Sequence, residues 1–379
     1  MQNILSIVFW PALMSGSVAF LVAVLLVLTQ HWHGHLSMDS DQGVQKFHTS
    51  PTPRVGGIAI AVGAVAGYLF ARPNIQVLLG PLIVAGIPAF AFGLLEDVTK
   101  RVSVRIRLLA TMGCGVLGWA ITGYSITDAN VPGLDWLLGF TAFSVLFTAF
   151  AVGGIANAIN IVDGFNGLAA GAAIIILTAF GVMTTALGDH NLALVCLILA
   201  GAVFGFLLVN WPLGKIFLGD GGAYFVGFAL AWLAVLILQR HTEVSAWAPL
   251  LACGFPILEV LFSIVRRRRR NLSPGDPDRL HLHSLVKRRV TGALLSNVSS
   301  LTRNSVTGTI MWFAVLVPAI IAVSWPTHTA ALAAGFLVCA VLYCAVYTRL
   351  TQFRWCWTAL TLTPEKSRLL TLARQQSKR

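Results

Sequence analysis

Apolar runs of roughly 16–27 residues follow one another along nearly the whole chain, and they constrain its fold more than any single motif does. A run of that length crosses the hydrocarbon core of a bilayer as a helix. Lipid offers no partner to backbone N–H and C=O groups, and a helix satisfies both internally. Eleven such runs are read at about 3–29, 55–71, 75–95, 106–124, 134–156, 167–187, 191–210, 221–238, 247–265, 307–325 and 329–348. The expected fold is an all-α, polytopic integral membrane protein with about eleven transmembrane helices. Only 11% of the 379 residues are charged, against roughly 25% in an average soluble domain, which excludes an ordinary soluble protein. The first run lacks the basic flank and small-residue cleavage site of a secretory signal, so it is kept as a span. The six cysteines lie mostly inside apolar runs without a C-x-x-C pair and read as buried thiols.

A net charge of +12 would suit a nucleic-acid binder, but the basic residues flank the spans rather than forming a patch. With the N-terminus outside, the inner segments hold 24 of the 26 Lys and Arg residues, leaving only Arg72 and Arg240 outside. The positive-inside rule therefore predicts an outer N-terminus and a cytoplasmic C-terminus. Residues 1–348 read as a single membrane-embedded domain with its functional loops on the cytoplasmic side, and 349–379 as a basic cytoplasmic tail. Membrane lipids are implied as surroundings, and no nucleic acid as partner.

The same assignment puts the polar motifs HTSPTPRVGG, EDVTK, NAINIVDG, IFLGDGG and DRLHLH on one face. In NAINIVDGFNGLA, residues 157–169, a lone Asn or Asp would be a helix cap. Four together, Asn157, Asn160, Asp163 and Asn166, suit a wet cavity or a ligand. As a helix, this stretch puts Asn157, Asn160 and Gly164 on one face, with Asp163 three residues after Asn160. Glu96 and Asp97 end the third run and precede Lys100, Arg101, Arg105 and Arg107. They read either as an acid pair for a cation or a base beside phosphate-holding cations, or as a solvated loop. Asp220 lies among three glycines, which let backbone approach a phosphate or a metal-bound oxygen. Four carboxylates and many cations on one face suggest Mg²⁺ and chemistry on a phosphate diester or anhydride.

His281 and His283 lack the matching Cys or third His of a zinc site and suit hydrogen bonding to phosphate or sugar, with Arg279 nearby. Arg266 to Arg270 read as a topology anchor touching lipid headgroups. Glu259, inside the ninth run, has no partner close in sequence; it pairs with an Arg or lines the cavity. Arg54 meets phosphate or snorkels to the interface.

These motifs, in this order, resemble the polyprenyl-phosphate N-acetylhexosamine-1-phosphate transferases. That family includes the enzymes starting enterobacterial common antigen, O-antigen and teichoic acid linkage, and the phospho-N-acetylmuramoyl-pentapeptide transferase of peptidoglycan synthesis. The resemblance covers most of the chain. It implies a Mg²⁺-dependent enzyme, with Mn²⁺ as an alternative, at the cytoplasmic face of a bacterial inner membrane. Such an enzyme transfers an N-acetylated amino-sugar 1-phosphate from a UDP-sugar to undecaprenyl phosphate and releases UMP, here to initiate a lipid-linked surface glycan of O-antigen type. The family's acidic pair falls on Glu96 and Asp97, with Glu in place of the first Asp; these and Asp163 are the expected catalytic residues. Asp220, with Asp163, is the expected metal site. The expected substrate-binding residues are Arg54, Asn157, Asn160, Asn166, Arg279, His281 and His283. Asn166 stands where some members carry an Asp near the nucleotide, Lys100 where some carry a third acid, and Ser284 where the histidine loop has a final His. The missing histidine tract argues against a muramoyl-pentapeptide donor. A lipid-phosphate transporter or flippase is the rival from another class. It is disfavoured because the acids crowd one face and no inverted repeat is visible. The sequence leaves open which sugar and polysaccharide are involved, and whether the chain forms a homo-oligomer.

Overall fold

The structure, a computed structural model, describes residues 2–39, 52–271, 278 and 280–352. Helices α1 (Gln2–Leu28) and α2 (Gln30–Ser37) lead to a two-stranded antiparallel ribbon, β1 (Met38–Asp39) with β2 (Thr52–Pro53), in which Met38 faces Pro53. Then follow α3 (Gly56–Phe70), α4 (Pro73–Thr99), α5 (Val104–Thr122), α6 (Leu134–Leu138), α7 (Thr141–Val162), α8 (Leu168–Ala186), α9 (His190–Asn210) and α10 (Gly219–Arg240). The last part holds α11 (Trp247–Ala252), α12 (Gly254–Arg268), α13 (Leu282–Val286), a π-helical turn over Lys287–Thr291, α14 (Gly292–Leu294), α15 (Ser300–Ser324) and α16 (Thr329–Thr351).

Among the described residues nine helices are long and apolar enough to cross a membrane. The eleven expected runs differ from these at two places. The run at 55–71 becomes α3, whose 15 residues rise only about 22 Å, short of a hydrocarbon core of about 30 Å. The run at 247–265 is split at Cys253 into α11 and α12, beside Gly254 and Pro256, residues that interrupt helical hydrogen bonding. The chain is thus a multi-pass, all-α membrane protein.

Helix α10 is apolar all round and buried along nearly its whole length, so it is the core of the bundle rather than a lipid-facing span. It packs against α3, α4, α5, α7 and α8. Its first turn, Gly-Asp-Gly-Gly, has no bulk, and two neighbours come to backbone contact there. A Cβ on Gly57 of α3 would lie 2.3 Å from the amide N of Gly222, and one on Gly93 of α4 would lie 2.6 Å from Cα of Gly221. The polar motifs gather at this end. At the other end Arg240 pairs with Asp189 at 2.6 Å, and Asn130 accepts from the Ser245 hydroxyl and the Ala246 amide.

Gly57→Ala should force α3 away from α10. The expected loss is about 1–3 kcal/mol, the usual range for overpacking, read as a lower Tm of the purified protein in detergent. Gly154→Ala, where no atom lies within 4 Å of the added methyl, is the control and should hold or raise Tm. An unchanged Tm in Gly57→Ala would overturn the close contact.

Candidate active site

Asp97, in the last turn of α4, is 1% exposed. Its two carboxylate oxygens accept the backbone N–H groups of Asp220 and Gly221, each at 2.9 Å. A carboxylate from one helix thereby caps the first turn of another, where amides have no helical partner and the dipole favours negative charge. That cap fixes Asp220. Arg54, between β2 and α3, places Nη2 3.4 Å from Asp97 and 3.2 Å from Asp220. Arg107, in the first turn of α5, pairs with the other Asp220 oxygen and lies 5.9 Å from the centre of the Tyr224 ring. Asn160, near the end of α7, donates to Asp220 Oδ1 at 3.1 Å. Arg54, Arg107 and Asn160, from three separate segments, converge on the Asp220 carboxylate, while Asp97 holds its backbone amide.

Asp163 follows α7 directly and belongs to the same field of charge. Burial pushes its carboxyl up to about 7, with Arg54 opposing and Asp97 adding to the rise. No described side chain donates a hydrogen bond to it. A carboxylate so placed, short of donors and beside a second acid, has the chemistry of a cation ligand. With Asp220 it offers the one or two carboxylates that Mg²⁺ takes alongside phosphate and water. Among the described residues no group of three or more His, Cys, Asp or Glu side chains is placed to hold a metal ion.

The histidine segment forms a second polar cluster. His281 places Nδ1 3.0 Å from Glu259 of α12, and its ring stacks on His283 at 5.3 Å between centroids. Burial pushes His283 down to about 4, with His281 adding to this and Glu259 and Asp278 opposing, so the ring is neutral at physiological pH. His283 meets Phe165 edge-on at 5.4 Å, and Lys287 sits 5.2 Å over the same Phe165 ring. The 163–167 loop therefore joins the two clusters. The arginine run divides here. Arg268, Arg269 and Arg270 are exposed, as an interfacial anchor would be. Arg266 and Arg267 are buried against Asp278, so for these two the lipid-headgroup reading is corrected.

Of the residues singled out from the sequence, Arg54, Asp97, Asn160, Asp163 and Asp220 come together. Glu96 faces its own loop, accepting the Val102 amide at 2.8 Å. Asn157 donates to the Gly153 carbonyl and to Thr111, joining α7 to α5. Asn166 is 5% exposed, packs on Gly214, and leaves its Nδ2 without a partner. Arg279 lies outside the described residues. The sequence reading assigned no role to Asn210, which accepts the Gly167 amide at 2.6 Å and donates to the Ile216 carbonyl at 2.7 Å. Nor did it single out Arg107 from its basic neighbours. Asn210 carries the signal used elsewhere, a polar side chain closing an apolar run; Arg107 is marked only by its pairing in space.

Comparison with known proteins shows the family of the chain. Residues 79–238 match the family described as glycosyl transferase family 4. The chain is 32% identical over 242 residues to a Bacillus subtilis protein named "Probable undecaprenyl-phosphate N-acetylglucosaminyl 1-phosphate transferase", covering 63% of this chain and 66% of that one. It is 30% identical over 249 residues to the undecaprenyl-phosphate alpha-N-acetylglucosaminyl 1-phosphate transferase of Salmonella typhi, covering 64% and 67%. Against the protein of the same name from Yersinia pestis it is 29% identical over 249 residues, covering 64% and 68%. The matched segment thus spans about two thirds of each relative. With Asp97, Asp163 and Asp220 all inside the matched region, the chain belongs to glycosyl transferase family 4.

Proposed function

We propose that this chain transfers an N-acetylated amino-sugar 1-phosphate from a UDP-sugar to undecaprenyl phosphate, releasing UMP and starting a lipid-linked surface glycan. The observation that carries this reading is the convergence of Arg54, Arg107 and Asn160 on the Asp220 carboxylate, with Asp97 capping its backbone, at one end of an apolar bundle. The names of the relatives support the acceptor and the sugar class. In the eleven-run reading of the sequence, 24 of the 26 Lys and Arg residues fall on the same side as the motifs, which supports a cytoplasmic site, where nucleotide sugars are supplied.

In the reaction a lipid phosphate oxygen forms a bond to the β-phosphorus of the donor. The bond from that phosphorus to the bridging oxygen breaks, and UMP leaves with the electron pair. Most of the work in such a transfer is positioning and charge stabilisation. Arg54 and Arg107 neutralise phosphate charge. Asn160 orients Asp220. Asp97, with both oxygens committed to the start of α10, holds Asp220 in place, so its role is positioning. Glu96 shapes the 99–103 loop. Asp220 and Asp163 would hold magnesium, or manganese in its place, which would supply neutralisation of the pyrophosphate charge. His281 and His283 steady the donor.

Asp220→Asn should abolish UMP release from UDP-N-acetylglucosamine while leaving membrane insertion intact; turnover near that of the wild type would remove Asp220 from the mechanism. His281→Ala should raise the donor KM about tenfold, equivalent to about 1.4 kcal/mol of lost hydrogen bonding. An unchanged KM would return the histidines to a packing role.

Asp163 carries a pH signature. The folded protein keeps a proton on it up to about pH 7, whereas the unfolded chain releases that proton near 3.8. The group therefore takes stability away as pH rises through that window. In EDTA, the Tm advantage of Asp163→Asn over wild type should widen from pH 5 to pH 8. Wild-type activity should climb with pH through about 7, as the carboxylate forms. A Tm difference independent of pH would contradict the buried-acid assignment.

A further inference from the structure

Glu259 is fully buried in α12, which packs against α7, α15 and α16. A carboxylate taken out of water in such a place is strongly destabilising unless its oxygens are matched by donors. The expected arginine partner is not the one it has. Arg266, seven residues on, is committed to Asp278, to the Leu280 carbonyl and to the Tyr347 hydroxyl. Glu259 is matched instead by the histidine segment. Its Oε1 lies 3.0 Å from His281 Nδ1 and accepts the Leu282 amide at 3.0 Å, and its Oε2 lies 3.3 Å from the same amide.

An ionised carboxylate only accepts, so the His281 ring must carry its proton on Nδ1. Its Nε2 is then the opposite edge, 3.9 Å from Asp278 and beyond hydrogen-bond range. The fixed ring stacks on His283 with planes 9° apart. His283 in turn stands against the 163–167 loop. A Cβ on Gly164 would lie 2.8 Å from His283 Nε2, so the approach depends on glycine at that position. An unbroken contact path runs from Glu259 through His281 and His283 to Gly164, the neighbour of Asp163.

The geometry assigns Glu259 as a positioning residue that fixes the ring of His281 and, through the stacked pair, seats His283 against the loop that carries Asp163. This deepens the transferase reading and rests on it for its kinetic arm. Its other arm, the protonation of the His281 ring, does not.

The decisive variant is Glu259→Leu, which keeps an apolar side chain of similar size and removes both acceptor oxygens, and Glu259→Gln is its control. Because His281 Nδ1 and the Leu282 amide both meet Oε1, a glutamine oxygen at that place accepts from both and keeps the tautomer. Purified wild type, the two Glu259 variants and Gly164→Ala are compared in detergent with UDP-N-acetylglucosamine and undecaprenyl phosphate, alongside nitrogen-15 spectra of labelled histidine side chains. The expected result for Glu259→Leu is a donor KM raised about tenfold, kcat and acceptor KM within about twofold, and a His281 proton no longer held on Nδ1, with Glu259→Gln restoring the donor KM and the tautomer. Gly164→Ala should raise the donor KM in the same way with the His281 tautomer unchanged. A wild-type donor KM with an unmoved tautomer in Glu259→Leu overturns the inference, as does a joint loss of kcat, both KM values and Tm in Glu259→Gln. If wild type releases no UMP from any UDP-N-acetyl sugar, the transferase reading fails, and the spectra still decide whether Glu259 sets His281.

Discussion

The contact between the Asp97 carboxylate and the first two amides of α10 is the one on which the remaining site geometry depends. It joins the end of α4 to the start of the helix that forms the core of the bundle. Because α10 touches five other helices, fixing its first turn fixes Asp220 relative to all of them. The glycines on both sides remove the side chains that would hold the backbones apart, so that a carboxylate of ordinary length reaches two amides at once. Small residues and a buried acid are therefore parts of a single device.

Charge balance explains which cations are recruited. Asp97 and Asp220 lie at the edge of an apolar bundle, where unpaired charge is strongly unfavourable. Arg54 spans both acids from the loop before α3, and Arg107 approaches Asp220 from α5. Guanidinium is suited to this because its fixed fork of donors serves two oxygens, and the same fork matches phosphate. Asp163 has no described side-chain donor, and burial raises its proton affinity, with Arg54 opposing and Asp97 adding.

Much of this was legible in the sequence because polar residues in an apolar chain carry unusual information. Arg54, Asp97, Asn160, Asp163 and Asp220 were identifiable from their interruption of the runs, and they meet in space. The same criterion could not separate Asn157 from Asn160, three residues apart on one helical face. Asn157 turns back to the Gly153 carbonyl and Thr111, while Asn160 reaches Asp220. That difference comes from the helices each one faces, α5 and α10, which no local pattern records. The nine long apolar helices among the described residues depart from the eleven runs for a related reason. Hydropathy measures apolar length and registers neither the break at Cys253, beside Gly254 and Pro256, nor the 15-residue length of α3. Glu259 was visible as an anomaly, yet its partner, 22 residues on, lay beyond any neighbour rule.

One rule connects the site with its surroundings. Helices that begin inside a membrane protein present amides that neither lipid nor their own first turn can satisfy. Here three such starts are served by a polar side chain from another helix. Asp97 near the end of α4 serves α10, Asn210 at the end of α9 serves the Gly167 amide that opens α8, and Glu259 of α12 serves the Leu282 amide that opens α13. In each case the capped segment carries a residue of the proposed chemistry or its neighbour: Asp220, Asn166 and the histidine pair. Capping thus does more than satisfy the backbone. It ties the position of each polar group to a packed helix, so that short loops at the rim of the bundle inherit the rigidity of its core.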